Sequence, residues 1–198
     1  MRRAENGAGH GAVGDRTRAA PGYAPPLSVS RRACLVGGGD ERFRQVIYSL
    51  FVTADRFETV RAAFGRVIGT TGPQYTILVA AAERQGAGGI SIGALADHLH
   101  VAPSHITAEV NKLVALGLVA KRPNPADRRG VLVRLTASGR AALERLGPFR
   151  RTVNDLLFDG VGHTEFQTLA RLFDRFLVNT ERALDHVARA ERARNRKG

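Results

Sequence analysis

An acid and two arginines stand together at Asp127, Arg128 and Arg129, inside the run NPADRRGVLVRLT from Asn124 to Thr136. Guanidinium groups grip phosphate through a fork of donors, and a neighbouring carboxylate can hold that fork in one orientation. The flanking segments GLVAKR and VLVRL read as short strands, the second with Val131, Val133 and Leu135 on one face. Pro123 and Pro125 are expected to end the ladder, and Gly130 to supply backbone freedom where the chain re-enters it. The result is a hairpin that projects a cationic loop. Alone, such a loop is an ordinary solvated turn. Beside the right neighbours it is a finger for phosphate or for a DNA groove.

Its neighbours are two short helical segments: IGALADHL, then the turn HVA, then PSHITAEVNKLVALG. Two short helices joined by a tight turn, the second followed by a hairpin, make a winged helix-turn-helix. With Ile106, Val110 and Leu113 facing a core, a 100° step places Ser104, Ala108, Asn111 and Ala115 on the opposite face. Thr107, Lys112 and His105 flank it. A helix that enters the major groove needs a small, polar outer face, because bulk blocks approach while Asn, Ser and Thr pair with base edges or phosphates. An amphipathic helix with a mild surface has the same periodicity. The adjacent basic hairpin, able to reach phosphates or the neighbouring minor groove, tips the reading toward DNA.

Charge agrees. The 198 residues carry 30 Lys+Arg against 18 Asp+Glu, a net charge of +12, which points to a polyanionic partner. No apolar run approaches a membrane span, and a single cysteine excludes an internal disulfide framework. A cytoplasmic protein without membrane or cofactor is expected. SRRACLV resembles a twin-arginine signal only faintly, since glycine and charge resume at once after Val36.

The elements that must position these residues are mainly helical, so the expected fold is mainly α with a small β-hairpin: a winged helix-turn-helix lobe plus a helical dimerisation domain. Residues 1–39 hold eight glycines, three prolines and a charge of +4, and read as a disordered basic extension. From about Asp40, Phe43, Leu50, Phe57 and Phe64 recur every seven residues, with Val46, Thr53, Val60 and Val67 as a second set. That seam marks a long helix packed on other helices, within one chain or across a dimer. A helix from Pro73 (PQYTILVAAAERQ) stops at GAGG; another runs from about Ala137 to Phe158, with Gly147-Pro148 expected to kink or unwind it. A last one runs from about Thr164 to Arg189, with Phe166, Leu169, Phe173, Phe176 and Leu184 on its apolar side. Residues 40–72 and 140–190 form the expected dimerisation region, 73–139 the DNA-binding lobe, and 191–198 a fraying basic tail.

Residues from about Thr71 to Leu143 resemble the MarR family of bacterial transcription regulators. The likeness lies in TGPQYTIL, LADHLHVAPSHIT, VNKLVALGLVAKR and above all DRRGVLVRLTASG, where an acid, any residue, an arginine and a strand ending Leu-Thr form the wing pattern. The resemblance implies a homodimer gripping a pseudo-palindromic operator in double-stranded DNA, with Ser104, Thr107 and Asn111 as recognition contacts. It also implies that Arg129 lies at the minor groove and that Asp127 braces it, with His105, Ala108, Lys112 and Arg128 beside these. Departures are Ala108 where arginine is frequent, Asn111 where aspartate is, and Ala102 where a capping acid is usual. The family's small aromatic or phenolic ligands suggest a crevice at Arg44, Tyr48, Phe51 and Tyr75, although core packing accounts for these aromatics equally well.

Other chemistry has little support. Cys34 precedes the first long helix among glycines and reads as a bystander thiol. His98 and His100, two apart on a helix, point about 200° apart and cannot share a metal. The glycine runs lack a P-loop lysine, and no hydrolase signature is visible, so no enzyme is expected. The leading reading is a ligand-released transcriptional repressor; the alternatives are a nucleoid-associated protein coating DNA without sequence preference, and a protein-interaction module.

Overall fold

The computed structural model describes residues 23, 25–125 and 127–196. The elements run in the order α1 (Glu41–Val67), α2 (Gly72–Arg84), β1 (Ile90–Ser91), α3 (Ile92–Leu99), α4 (Pro103–Ala115), β2 (Val119–Asn124), β3 (Asp127–Leu135), α5 (Ala137–Leu157) and α6 (His163–Asn195). Residues up to Phe57 form one compact unit and those from Glu58 onward another. Among the described residues, no helix is long and apolar enough to cross a membrane.

In the first unit, composition predicts disorder before Asp40, yet the stretch from Pro25 has structure; residues 1–22 and 24 lie outside the described residues. Arg32–Cys34 form a 3-10 turn, Val36 pairs with Gly39, and Cys34 is half-buried. The physical reason lies at Asp40, whose carboxylate accepts from the backbone N–H of Ser28 at 2.7 Å and from its hydroxyl. Arg44 pairs with the same carboxylate. These donors hold Asp40 below the usual carboxylate range, Ser28 contributing most.

The second unit has one core. Phe64, Ile77, Leu78, Leu95, Ile106, Val110, Leu113, Val133 and Leu146 are buried together, drawn from the end of α1 through α5. Local chemistry starts each helix where its side-chain oxygens allow. Thr71 and Gln74 form a capping box on α2, Ser91 caps α3 through Ala94 N–H, and Thr136 caps α5 through Gly139 N–H. His100 ends α3 in the left-handed region, at φ 53°, and so makes the sharp turn into α4. Helix α4 begins at Ala102 and Pro103 with no side-chain cap.

The sheet differs from the expected hairpin. It has three strands in the order β1-β3-β2, with Ile90 opposite Val133 and Ser91 opposite Leu132. Two residues are too few for a periodic signal, so β1 escaped detection. Strand β2 does not stop before Pro123, which lies opposite Val131; β2 is an edge strand, where proline is tolerated. The register then shifts so that Asn124 faces Asp127, leaving Arg128, Arg129 and Gly130 opposite a single step of β2. Asp127–Arg129 therefore belong to a bulged strand rather than to an open loop.

Both final helices outrun their expected form. Helix α5 is unbroken through Gly147-Pro148, and α6 continues past Arg189 to Asn195. None of the residues of α6 is buried, and Phe166, Phe173, Phe176 and Leu184 are each about half exposed or more.

Candidate nucleic-acid interface

Helix α4 divides as its 100° step requires. Ile106, Val110 and Leu113 are fully buried, whereas Ser104, His105, Thr107, Ala108, Asn111, Lys112 and Ala115 are exposed. The buried face docks α4 on α2 and α3, which fixes which side meets solvent. The exposed face is small at Ala108 and polar around it. The Thr107 hydroxyl donates to Pro103 O at 2.9 Å, one turn back along the helix. That bond occupies its proton and leaves the oxygen as an acceptor.

Asn111 is held from the side. Its Oδ1 accepts from the ammonium of Lys121 on β2, a contact that ties the helix to the wing. With Oδ1 engaged, the amide NH2 is the part of Asn111 left to act, and it can donate to acceptors such as purine N7, guanine O6 or thymine O4 in a major groove. Lys121 was not among the residues singled out from sequence. Nothing in a strand of alternating character foretells which lysine reaches a helix ten residues earlier.

Lys112 does not stand alone either. Its ammonium is 2.7 Å from the carboxylate of Glu109, a nearly buried residue that also accepts from Gln74 Nε2 at 3.0 Å. The Lys112 contact contributes most to holding Glu109 below the usual carboxylate range; partial burial pushes the other way, and Gln74 and His105 add to the lowering. A signal for Glu109 was present. At three residues from Ile106 and four from Leu113 it falls on the buried stripe, where a carboxylate demands partners.

The wing contributes backbone and one carboxylate. Gly130, expected to supply backbone freedom, does not adopt positive φ. A Cβ at Gly130 would lie 3.0 Å from Asp127 Oδ2 and 3.4 Å from Asn124 Nδ2. The glycine makes room for Asp127 to fold back over its own strand. The backbones of Arg128 and Arg129 run within β3, and their side chains lie outside the described residues.

The residues expected to hold a small ligand fall in both compact units. In the first, Arg44 pairs with Asp40 and lies 3.6 Å from Glu41, while Tyr48 and Phe51 are 65% and 63% exposed. In the second, the ring of Tyr75 packs on Phe64 with centroids 5.5 Å apart, as a core residue would. His100 engages Glu181 of α6 at 2.9 Å.

Known proteins match this arrangement. A family model described as "MarR family" matches residues 68–130, from just after α1 into β3. The transcriptional activatory protein BadR of Rhodopseudomonas palustris is 28% identical over 130 residues, 63% of this chain and 74% of its own length. The HTH-type transcriptional repressor NicR of Pseudomonas putida is 34% identical over 74 residues, 37% of this chain and 47% of NicR. The PcaV transcriptional regulator of Streptomyces coelicolor, solved in complex with its natural ligand, superposes with a TM-score of 0.52 at 25% identity, covering 63% of this chain and 89% of its own. Lobe, wing and matched segment agree: residues 68–130 carry the MarR-type winged helix-turn-helix, and over that segment the chain is similar to DNA-binding transcriptional regulators.

Proposed function

We propose that the protein is a homodimer that represses transcription from a pseudo-palindromic operator and is released by a small aromatic or phenolic anion in the cytoplasm. The observation that carries the DNA contacts is the outer face of α4, where Ser104, His105, Thr107, Ala108, Asn111 and Lys112 are exposed on a helix whose other side is locked in the core. The wing then supplies Arg128 and Arg129 for the backbone or minor groove, with Asp127 as their brace.

The dimer rests on apolar surface that one chain leaves bare. Phe64 and Val60 of the heptad seam join the lobe core, but Leu50, Phe57 and Val46 stay 41%, 43% and 51% exposed. Helix α6, 33 residues long, buries none of its residues. Contiguous apolar faces of this length favour association with a second copy. The repressing sign follows NicR, the more identical of the two regulators over its matched segment; that a ligand binds at all follows PcaV, and its aromatic or phenolic class follows the family resemblance of the sequence. Arg44, Tyr48 and Phe51 recur at helical spacing on one side of α1, which makes them the first residues to vary for ligand binding.

The test begins with the tightest-binding duplex that the full chain recovers from a randomised library. Binding to that site and to a scrambled duplex is titrated with salt, then challenged with aromatic carboxylates and phenols. Release by one such compound is expected, weakened by Tyr48→Ala or Phe51→Ala, with about 5- to 150-fold coupling. Equal affinity for both duplexes would instead make this a protein that coats DNA. Release by hydrogen peroxide, lost in Cys34→Ser and matched by no ligand, would replace the ligand mechanism with a thiol one.

A further inference from the structure

Between the core of the lobe and its DNA-facing helix runs a chain of four polar groups. Gln74, 6% exposed, stands in the first turn of α2. Its Oε1 accepts from the backbone N–H of Thr71 at 3.0 Å, and its Nε2 donates to Glu109 Oε2 at 3.0 Å. The amide cannot be reversed, because a backbone N–H only donates and a carboxylate only accepts. Glu109 is 9% exposed and offers its second oxygen to Lys112, whose side chain is 59% exposed. Two features follow. The Gln74–Glu109 bond adds a directional constraint on the rotation of α4 to the apolar packing of Ile106, Val110 and Leu113. The Glu109–Lys112 pair tethers a cation on the rim of the recognition face.

We propose that Glu109 is a specificity-determining positioning residue: anchored by Gln74, it sets the roll of α4 and withholds the Lys112 ammonium from sequence-indifferent grip on phosphate. The proposal rests on the DNA-binding reading and deepens it. A free lysine on the rim of a recognition helix adds affinity for every duplex alike, since phosphate carries no sequence information. A tethered one reaches DNA only where the helix is already seated. The roll matters because Ser104, Thr107 and Asn111 reach base edges only from one angular setting.

Three variants of the full chain separate these effects, each measured on the library-selected duplex and on a scrambled one across a salt series, with thermal melting as the check on folding. In Glu109→Gln the amide still bonds Gln74, but Lys112 is freed. Scrambled-duplex affinity should rise several-fold, its salt slope should steepen by about 0.9, and the ratio of selected to scrambled affinity should fall about threefold or more. In Gln74→Glu two carboxylates face each other and the roll is lost, so selected-site affinity should fall about tenfold or more. In the double variant Gln74→Glu/Glu109→Gln the hydrogen bond is restored with its direction reversed. Selected-site affinity should recover, and because the new amide at position 109 turns its Oε1 toward Lys112 as a neutral acceptor, the salt slope should fall between those of wild type and Glu109→Gln. A purely structural glutamate would move neither salt slope nor ratio. An unchanged slope and ratio in Glu109→Gln, or a double variant no better than Gln74→Glu, overturns the proposal. Wild-type protein that fails to distinguish the two duplexes would instead overturn the DNA reading beneath it.

Discussion

Asp40 and Glu109 are kept charged by their surroundings, Asp40 chiefly by Ser28 and Glu109 chiefly by Lys112. For each, the carboxyl binds its proton more weakly in the folded chain than in the unfolded one. In moderate acid the unfolded state therefore takes up more protons, and stability rises with pH. The contribution is complete above the ordinary carboxylate range of about 4–4.5 and disappears as pH falls through the lowered folded values. Urea midpoints between pH 3 and pH 7 should climb more steeply in wild type than in Glu109→Gln or Asp40→Asn. Parallel curves would mean that the two carboxylates do not set the acid limb. At the wing, a Cβ added at Gly130 would lie 3.0 Å from Asp127 Oδ2, so a larger residue there would push that carboxylate aside by a few tenths of an ångström.

At the scale of elements, three glycines make contrasting demands. Gly139 opens α5 directly beneath the Leu118 carbonyl, with which an added Cβ would collide, and a Cβ added at Gly65 would lie 2.7 Å from Thr70 O at the corner before α2. Both obstacles are backbone and cannot swing aside. Gly147 lies mid-helix with nothing closer than 4.0 Å. Gly139→Ala and Gly65→Ala should each cost about 1–3 kcal/mol, whereas Gly147→Ala should stabilise by about 0.5–1 kcal/mol. Calorimetric melting checks all three, and a stabilised Gly139→Ala would mean that α5 can shift off the Leu118 carbonyl. The same local physics decides how much could be read in advance. The helices announced themselves through spacing, and the buried and exposed faces of α4 followed from Ile106, Val110 and Leu113. What stayed hidden was pairing across space: the two residues of β1, the reach of Lys121 to Asn111, and the hold of Ser28 on Asp40. A bulge that folds Asp127 over Gly130 leaves no periodic trace, so the wing was foreseen as a loop and found as a strand.

For the molecule as a whole, the proposed assembly makes the heptad seam the place to intervene. Phe57, 43% exposed in one chain, would be enclosed by a partner, and Phe57→Asp would put an unpaired charge there at a cost of several kcal/mol. Sedimentation should report a monomer, and affinity for the selected duplex should fall by about 10²-fold or more as each lobe is left with one half-site. An intact dimer would place Phe57 outside the interface. The bare length of α6 carries a consequence for gene dosage. In the proposed dimer, a helix of 33 residues with none buried inside its own chain would draw its stability from association, so the competent fraction would depend on how much protein is made. At low expression, operator occupancy of such a dimer would grow with roughly the square of chain concentration, and a promoter under it would respond to copy number as a threshold rather than in proportion.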